Sequence, residues 1–204
     1  MRVGIYQIKP AFQRSLRGVE DWLVARRVHP DWLTYSALAL SVLGGAWLYL
    51  APERTWLLPM VSIIAVVRTA LNALDGLVAK RTGLARPWGE VLNEFCDRLA
   101  DLALLGGLAL SAPTERLLGA VTLTVMLLNS YLAILSKAAG GRRQYAGPMG
   151  KADRMTLLAV MAPCGLFLPL DLVYNLFLWL VLAGLAVTVV LRARATYRDL
   201  QPGG

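Results

Sequence analysis

Residues 68–101 lie between apolar segments, yet they carry many polar side chains, seven of which draw attention first. They are Arg68, Asn72, Asp75, Asn93, Asp97, Arg98 and Asp101. A charged side chain in an apolar helix that spans a membrane costs roughly 2.5–3.5 kcal/mol, so such residues mark a functional site or an ion pair. Clustered carboxylate and amide oxygens are the ligands of hard divalent cations. The residue types therefore predict a site for Mg²⁺ or Mn²⁺.

Helical spacing places these side chains on two facing surfaces. At about 100° per residue, Arg68, Asn72 and Asp75 fall within about 60° of one another. Gly89, Asn93, Asp97 and Asp101 follow at intervals of four residues on the next helix. A loop joins the two helices, which makes them antiparallel, so Asp75 is expected near Asn93 and Asp97. Arg68 and Asp101 then lie at similar depth, and we expect them to pair.

Small residues beside the acids leave room for a ligand against the helix backbone. They are Ala73, Gly76, Ala79 and Gly89, and the basic residues Lys80 and Arg81 follow. The combination predicts a metal-bound, multiply charged phosphate compound. Helix association through small residues and polar hydrogen bonds explains one ion pair, but it explains three aspartates and two asparagines poorly. A transporter or ion-binding membrane protein is a second alternative, because intramembrane acids also mark transport pathways.

The elements that must position this site are membrane helices. The chain has 204 residues, of which 57% are hydrophobic, and a net charge of +8. Six apolar segments, each about the length that spans a bilayer, cover residues 31–51, 56–79, 89–111, 117–137, 155–171 and 173–191. Before them, Phe12, Leu16, Val19 and Leu23 recur at helical spacing among arginines, which is typical of an amphipathic helix at the membrane surface.

The sequence therefore predicts an all-α integral membrane protein with six transmembrane helices and an N-terminal amphipathic juxtamembrane helix. We expect one domain over residues 1–204. Residues 1–29 form its juxtamembrane part, 30–192 the six-helix bundle and 193–204 a tail. The two cysteines, Cys96 and Cys164, lie in apolar segments and give no sign of a disulfide framework.

Charge predicts the orientation in the membrane. Seventeen of the 21 Lys and Arg residues lie in the N-terminal region, the 80–88 loop, the 137–154 loop and the C-terminal tail, which for this count begins at Arg192. Positive loops stay in the cytoplasm, so both termini are expected there, in a multi-pass protein of the plasma (cell inner) membrane. The same loops explain the basic charge through contact with anionic membrane lipids, and we expect no nucleic-acid partner.

The spacing of residues 72–97 resembles a known signature. These residues contain N-x2-D-G-x2-A-K-x8-G-x3-N-x3-D, similar to the D-x2-D-G-x2-A-R-x8-G-x3-D-x3-D pattern of the CDP-alcohol phosphotransferases. The stretch "HPDWLT" at 29–34 is also similar to a motif before that family's first membrane helix. The resemblance implies six membrane helices, Mg²⁺ or Mn²⁺, and transfer of a phosphoalcohol group from a CDP-linked lipid or alcohol to an acceptor hydroxyl. CMP is released, the product is often a phospholipid, and a homodimer is possible.

The resemblance also assigns expected roles. The metal ligands are Asn72, Asp75, Asn93 and Asp97, and the CDP-binding residues are Asp75, Gly76, Ala79, Lys80, Arg81 and Gly89. This sequence departs from the pattern in having Asn72 and Asn93 at acidic positions and Lys80 at the arginine. Either Asp97 or Asp101 is the catalytic base, and pairing with Arg68 would make Asp101 a poor one. A catalytically weak or inactive member of the family is the alternative.

Basic residues before the fifth apolar segment predict an acceptor site. The loop at 136–155 holds Arg142, Arg143, Lys151 and Arg154, and some family members bind phosphorylated acceptors through basic residues in this region. Lysine and arginine suit a phosphate because they supply charge and, for arginine, a forked donor. The alternative is that these residues only contact anionic lipid headgroups.

Overall fold

The computed structural model describes residues 9–201, and these contain helices and no strand. Residues 1–8 of the predicted juxtamembrane region, and 202–204 of the predicted tail, lie outside the described residues. The helices are α1 (Lys9–Ser15), α2 (Arg17–Ala25), α3 (Pro30–Leu50), α4 (Leu58–Arg81), α5 (Pro87–Leu110), α6 (Arg116–Ala138), α7 (Lys151–Met161) and α8 (Leu170–Asp199). The all-α prediction is confirmed.

Four helical stretches in the described part of the chain are long and apolar enough to cross a membrane. They are Pro30–Leu50, Thr55–Arg81, Arg116–Ala138 and Leu170–Asp199. Helix α5 is as long as α4, with 24 residues, but it carries five charged residues. The helix that holds half of the predicted site is therefore not among these four apolar stretches.

Two glycines set the closest helix approach. Helix α3 packs against both α4 and α5. A Cβ atom added to Gly45 of α3 would lie 2.0 Å from the carbonyl oxygen of Ala103, and one added to Gly107 of α5 would lie 2.0 Å from the carbonyl oxygen of Gly45. Because only glycine permits this contact, the backbones of α3 and α5 touch and fix the position of the polar face of α5.

The core lies where α8 packs across the bundle. Leu48, Leu58, Leu104 and Phe177 are at most 1% exposed and belong to one cluster. The Tyr174 hydroxyl donates a hydrogen bond of 2.9 Å to the carbonyl oxygen of Leu48, so α8 is joined to the end of α3 by a buried polar contact. Burial of these side chains holds the five long helices in one body.

The fifth apolar segment differs from its predicted extent. Helix α7 begins at Lys151 and ends at Met161, and a 3₁₀ turn covers Ala162–Leu166. Pro163 has no backbone N–H, so it cannot continue an α-helical ladder. The prediction of one continuous segment over 155–171 is therefore wrong at two points. The helix starts four residues earlier than predicted, and it is broken at the proline. The early start brings Lys151 into the first turn of α7.

The predicted N-terminal helix is two short helices, α1 and α2. Leu23 is buried against Leu33, Leu74 and Val78, whereas Val19 of the predicted apolar face is 48% exposed. The buried Glu20 lies 3.3 Å from the Arg81 guanidinium at the end of α4. Arg81 also pairs with Asp21 at 2.5 Å, so α2 is attached to α3 and α4 by an apolar contact and two ion pairs.

Candidate active site

Asp75 and Asn93 join the predicted faces of α4 and α5. Asp75 is 4% exposed; its Oδ2 accepts hydrogen bonds from the Asn93 side-chain amide and from Thr34 Oγ1 at 3.2 Å. Its Oδ1 accepts one from the backbone N–H of Gly76. The expected proximity of Asp75 and Asn93 is confirmed. The carboxylate is held by three donors, all of them uncharged.

Asp97 lies one turn further along α5 and is paired with a lysine. Lys151 Nζ donates a hydrogen bond to Asp97 Oδ1, and Arg98 Nη2 is 3.9 Å from Oδ2. Asp75 is within electrostatic range of both Asp97 and Lys151. The two carboxylates and the ammonium group therefore form one charged site between α4, α5 and α7.

Asp101 is completely buried between two guanidinium groups. Arg68 Nη2 lies 2.5 Å from Oδ1, which confirms the predicted pair, and Arg154 Nη2 lies 2.7 Å from Oδ2. Asp101 and Arg68 are 0% exposed and Arg154 is 2% exposed. Because both oxygens of Asp101 are occupied and shielded, it is poorly placed to take a proton from a substrate.

A cavity of about 430 Å³ opens beside these residues. The polar side chains along its wall include Asn72 and Asp97 of the motif and five cations, which are Arg98, Arg143, Lys151, Arg154 and Arg192. Phe12 of α1 also lines it. The cavity brings a motif aspartate and a set of cations from three other parts of the chain to one place, which suits an anionic ligand.

The residues can be tested for a divalent metal by their donor atoms. Both side-chain atoms of Asn72 are buried without a hydrogen-bond partner, and Asn72 lines the cavity. Among the described residues, no group of three or more His, Cys, Asp and Glu is placed to hold a metal. Two carboxylates and two amides remain, from Asp75, Asp97, Asn72 and Asn93. This donor set fits one hard cation, with the unpartnered Asn72 oxygen as a free ligand.

The predicted acceptor residues divide into two groups. Arg143, Lys151 and Arg154 line the cavity. Arg143 Nη2 lies 2.6 Å from Glu94, a carboxylate that also binds Arg98 at 2.8 Å. Arg142 is not part of the cavity wall; its side chain is 89% exposed and pairs with Asp199 at 2.9 Å. These hydrogen bonds raise the pKa of Arg142.

The predicted CDP-binding residues lie beside the cavity, at the end of α4 and the start of α5. None of Asp75, Gly76, Ala79, Lys80, Arg81 and Gly89 forms part of the cavity wall. Arg81 is engaged with Glu20 and Asp21 of α2. The structure therefore brings Arg81 to α2, whereas Gly76 lies in open space, with nothing within 4 Å of an added Cβ.

Comparison with known proteins decides the family. Residues 27–190 match the family described as CDP-alcohol phosphatidyltransferase. The chain belongs to this family. It is 34% identical to the inner membrane protein YnbA of Escherichia coli, over 86% of this chain and 87% of YnbA. It is 25% identical to the phosphatidylinositol phosphate synthase of Mycolicibacterium smegmatis, over 92% and 86% of the two chains.

Solved structures of one family member share the fold. They are of the Mycobacterium tuberculosis phosphatidylinositol phosphate synthase. The structure with CDP-DAG bound matches with a TM-score of 0.72 and 21% identity, over 93% of this chain and 96% of that chain. The complex with manganese and citrate matches with a TM-score of 0.74 and 21% identity, over 91% and 90%. The predicted family is confirmed, and the chain is a multi-pass membrane protein of the CDP-alcohol phosphotransferase class.

In the present chain, two cations of the cavity were not predicted as site residues. Arg98 follows the motif aspartate directly, and Arg192 is 8% exposed. Arg192 donates to the carbonyl oxygens of Ala146 at 3.1 Å and Asn129 at 3.0 Å. In the sequence, Arg192 counts as an orientation charge of the tail, whereas Arg98 lies within an apolar segment. The signal that could have found Arg192 is its position on an apolar helix that continues to Asp199, which places it in a span and not in a tail.

Proposed function

We propose that this protein transfers a phosphatidyl group from a CDP-linked lipid to a hydroxyl of a phosphorylated polyol, with release of CMP. One observation carries the proposal: a single cavity is lined by the motif residue Asp97 and by five cations. All five cations lie outside the motif, and four of them lie on elements other than α5. Among the described residues, only three carboxylates, Glu94, Asp97 and Asp101, pair with these five cations. A phosphate group on the acceptor would supply the negative charge that the cavity still lacks.

The choice of a lipid donor is supported by the relatives. One solved structure with this fold has CDP-DAG bound, and two relatives carry the names phosphatidylinositol phosphate synthase and inner membrane protein. We therefore place the protein in the plasma membrane, with both termini in the cytoplasm as the charge distribution favours.

The finer architecture is part of the same proposal. Adding α5, and α7 with its 3₁₀ turn, to the four apolar stretches gives six spans. Helices α1 and α2 would lie at the membrane surface, where the exposed Trp22, stacked with Arg26, meets lipid headgroups. We treat residues 1–204 as one domain that can form a homodimer.

The metal of the proposal is one Mg²⁺ or Mn²⁺ ion held by Asn72, Asp75, Asn93 and Asp97. When bound, a divalent cation supplies positive charge to the diphosphate of the donor and to the departing CMP. The buried and unpartnered amide of Asn72 supports its inclusion. Gly76 and Ala79, on the adjoining part of α4, would let the nucleotide approach the backbone, with Lys80 and Gly89 nearby.

In the proposed reaction, Asp97 accepts the proton of the acceptor hydroxyl. The hydroxyl oxygen forms a bond to the β-phosphorus of the donor, the bond from that phosphorus to the bridging oxygen breaks, and CMP leaves with that oxygen. Lys151 holds Asp97 by a hydrogen bond and adds positive charge. Asp101 is not the base, because Arg68 and Arg154 occupy it. Positioning and charge stabilisation supply most of the rate in such transfers.

The test uses the full chain, purified in detergent with Mn²⁺ and CDP-diacylglycerol. The acceptors are myo-inositol 1-phosphate and glycerol 3-phosphate, with inositol and glycerol as matched controls that lack the phosphate. We expect CMP release and a phosphodiester lipid only with a phosphorylated acceptor. Equal rates with inositol and inositol phosphate would contradict the acceptor assignment. Donor binding without product from any acceptor would favour an inactive family member.

A further inference from the structure

The Arg68–Asp101–Arg154 cluster has one carboxylate for two guanidinium groups. All three side chains are at most 2% exposed, and they come from three different helices, α4, α5 and α7. The Nε atoms of both arginines are buried without a hydrogen-bond partner. The cluster therefore carries one net positive charge on side chains that are almost completely buried.

The two arginines differ in what else they touch. Arg154 lines the cavity and also donates to the carbonyl oxygen of Met149 at 3.4 Å. Arg68 does not line the cavity; its second Nη atom lies 3.0 Å from the sulfur of Met155. The only member of the cluster that an anion in the cavity can reach is thus Arg154.

A buried charge without a partner is costly, and a pair that satisfies it is favourable. If Asp101 faced Arg154 alone, the two would form a neutral pair, and an anion in the cavity would gain little from Arg154. Arg68 takes one oxygen of Asp101 at 2.5 Å and so leaves Arg154 only partly neutralised. The surplus charge is then available in the cavity.

We infer that Arg68 is a positioning residue for the acceptor phosphate. It strengthens the binding of that phosphate through Asp101 and Arg154, without touching the ligand. The inference rests on the proposed function, since it takes the acceptor to be phosphorylated. It assigns Asp101 the task of orienting Arg154, in place of proton transfer. A buried ion pair that serves only the fold would have no effect on the binding of an anion in the cavity.

The experiment measures binding of inorganic phosphate to the detergent-purified full chain, and the KM for the phosphorylated acceptor. Arg68→Met removes the charge at similar length and leaves Asp101 and Arg154 as a neutral pair, so the fold should persist. We expect phosphate binding to weaken about tenfold and the acceptor KM to rise by a similar factor, with kcat and the donor KM within about twofold of wild type.

Arg68→Lys is the matched control, because it retains the charge. It should bind phosphate within about threefold of wild type, since a lysine can keep one contact with Asp101. The inference would be overturned if Arg68→Met bound phosphate as tightly as wild type. It would also be overturned if Arg68→Lys and Arg68→Met weakened phosphate binding equally. Should Arg68→Met not fold, Arg68→Gln makes the same comparison.

The failure of the proposed function looks different. A wild-type protein that binds phosphate but forms no product would contradict the transferase proposal, and the phosphate titrations of the variants would still decide the inference. If the wild-type protein transfers normally and Arg68→Met has the same acceptor KM as wild type, only the inference is overturned.

Discussion

The side-chain amide of Asn93 donates a hydrogen bond to the carboxylate of Asp75. The family pattern has an acid at position 93, which would place a second negative charge against Asp75. In this chain an uncharged donor takes its place, and the two helices are joined by a hydrogen bond where two carboxylates would repel each other without a cation. We therefore expect the substitution to exchange metal affinity for stability in the metal-free protein.

Replacing Asn93 with aspartate should reverse that exchange. Without divalent cations we expect Asn93→Asp to lose roughly 1–3 kcal/mol of stability, because like charges meet in a partly buried site. With Mn²⁺ the variant should bind the metal at least about tenfold more tightly, since a carboxylate replaces an amide ligand. Thermal unfolding in EDTA and in a Mn²⁺ series measures both effects.

Asn93→Ala is the control for that measurement. It removes the hydrogen bond to Asp75 and adds no charge, so it should lose stability without any gain in Mn²⁺ affinity. If Asn93→Asp and Asn93→Ala bind Mn²⁺ alike, then position 93 is not a metal ligand in this protein.

Asp97 and Asp101 should give opposite results when each is changed to asparagine. Asp97→Asn should lower kcat by about 10²–10⁴-fold, the usual contribution of a general base, while the protein remains folded. Asp101→Asn should cost about 3–5 kcal/mol of stability, because it leaves two buried guanidinium groups without a counter-charge. Product formation and thermal unfolding separate the two effects.

Glu90→Gln controls for the loss of an acid on the same helix. Glu90 is exposed and pairs only with Lys137 among the described ion pairs, so both activity and stability should stay near wild type. A folded Asp97→Asn variant with full activity would remove Asp97 from the mechanism.

The Arg68–Asp101 pair shows what a sequence can predict here. Helical period and one antiparallel loop are enough to place two residues of adjacent helices at the same depth, and the pair is present. Arg154 could not be placed in the same way, because its contact depends on how α7 packs against α4 across a long loop. That packing brings Arg154 to Asp101, and no local sequence pattern indicates the contact.

The end of the fifth apolar segment and the position of Arg192 show a second limit. Hydropathy marks apolar length, but it does not register that Pro163 stops the α-helical hydrogen bonds. Charge counting assigned Arg192 to the tail, although α8 continues past it. The proximity of Asp75 and Asn93 was predictable because it depends only on the helical period and one short loop.

Neighbouring glycines of α5 should respond differently to alanine. Gly107→Ala would place a Cβ 2.0 Å from the backbone of Gly45, so α3 and α5 must separate, and we expect a loss of about 1–3 kcal/mol or more. Gly106→Ala meets nothing within 4 Å and should gain up to about 1 kcal/mol from helix propensity. Thermal unfolding in one detergent compares them, and equal stabilities would contradict the close contact.

Arg142 and Arg143 provide a matched pair for the acceptor site, because they are adjacent and identical in type. Arg143 lines the cavity and its guanidinium lies 5.2 Å from the centre of the Tyr145 ring, whereas Arg142 is exposed and bound to Asp199. Arg143→Gln should raise the KM for a phosphorylated acceptor about tenfold, the order expected for one charged contact. Arg142→Gln should leave it within about twofold of wild type.

The salt dependence of the acceptor KM makes the comparison sharper. Both variants remove one positive charge from the same loop, so a general attraction of anions to this surface would weaken equally in each. If Arg143 contacts the phosphate directly, the rise of the acceptor KM between about 50 and 200 mM salt should become smaller only in Arg143→Gln. Salt screens contacts between charges, and this variant has lost one such contact with the phosphate. Equal effects of the two substitutions on KM would show that the loop acts through surface charge alone, as it would on lipid headgroups, and would remove Arg143 from the acceptor site.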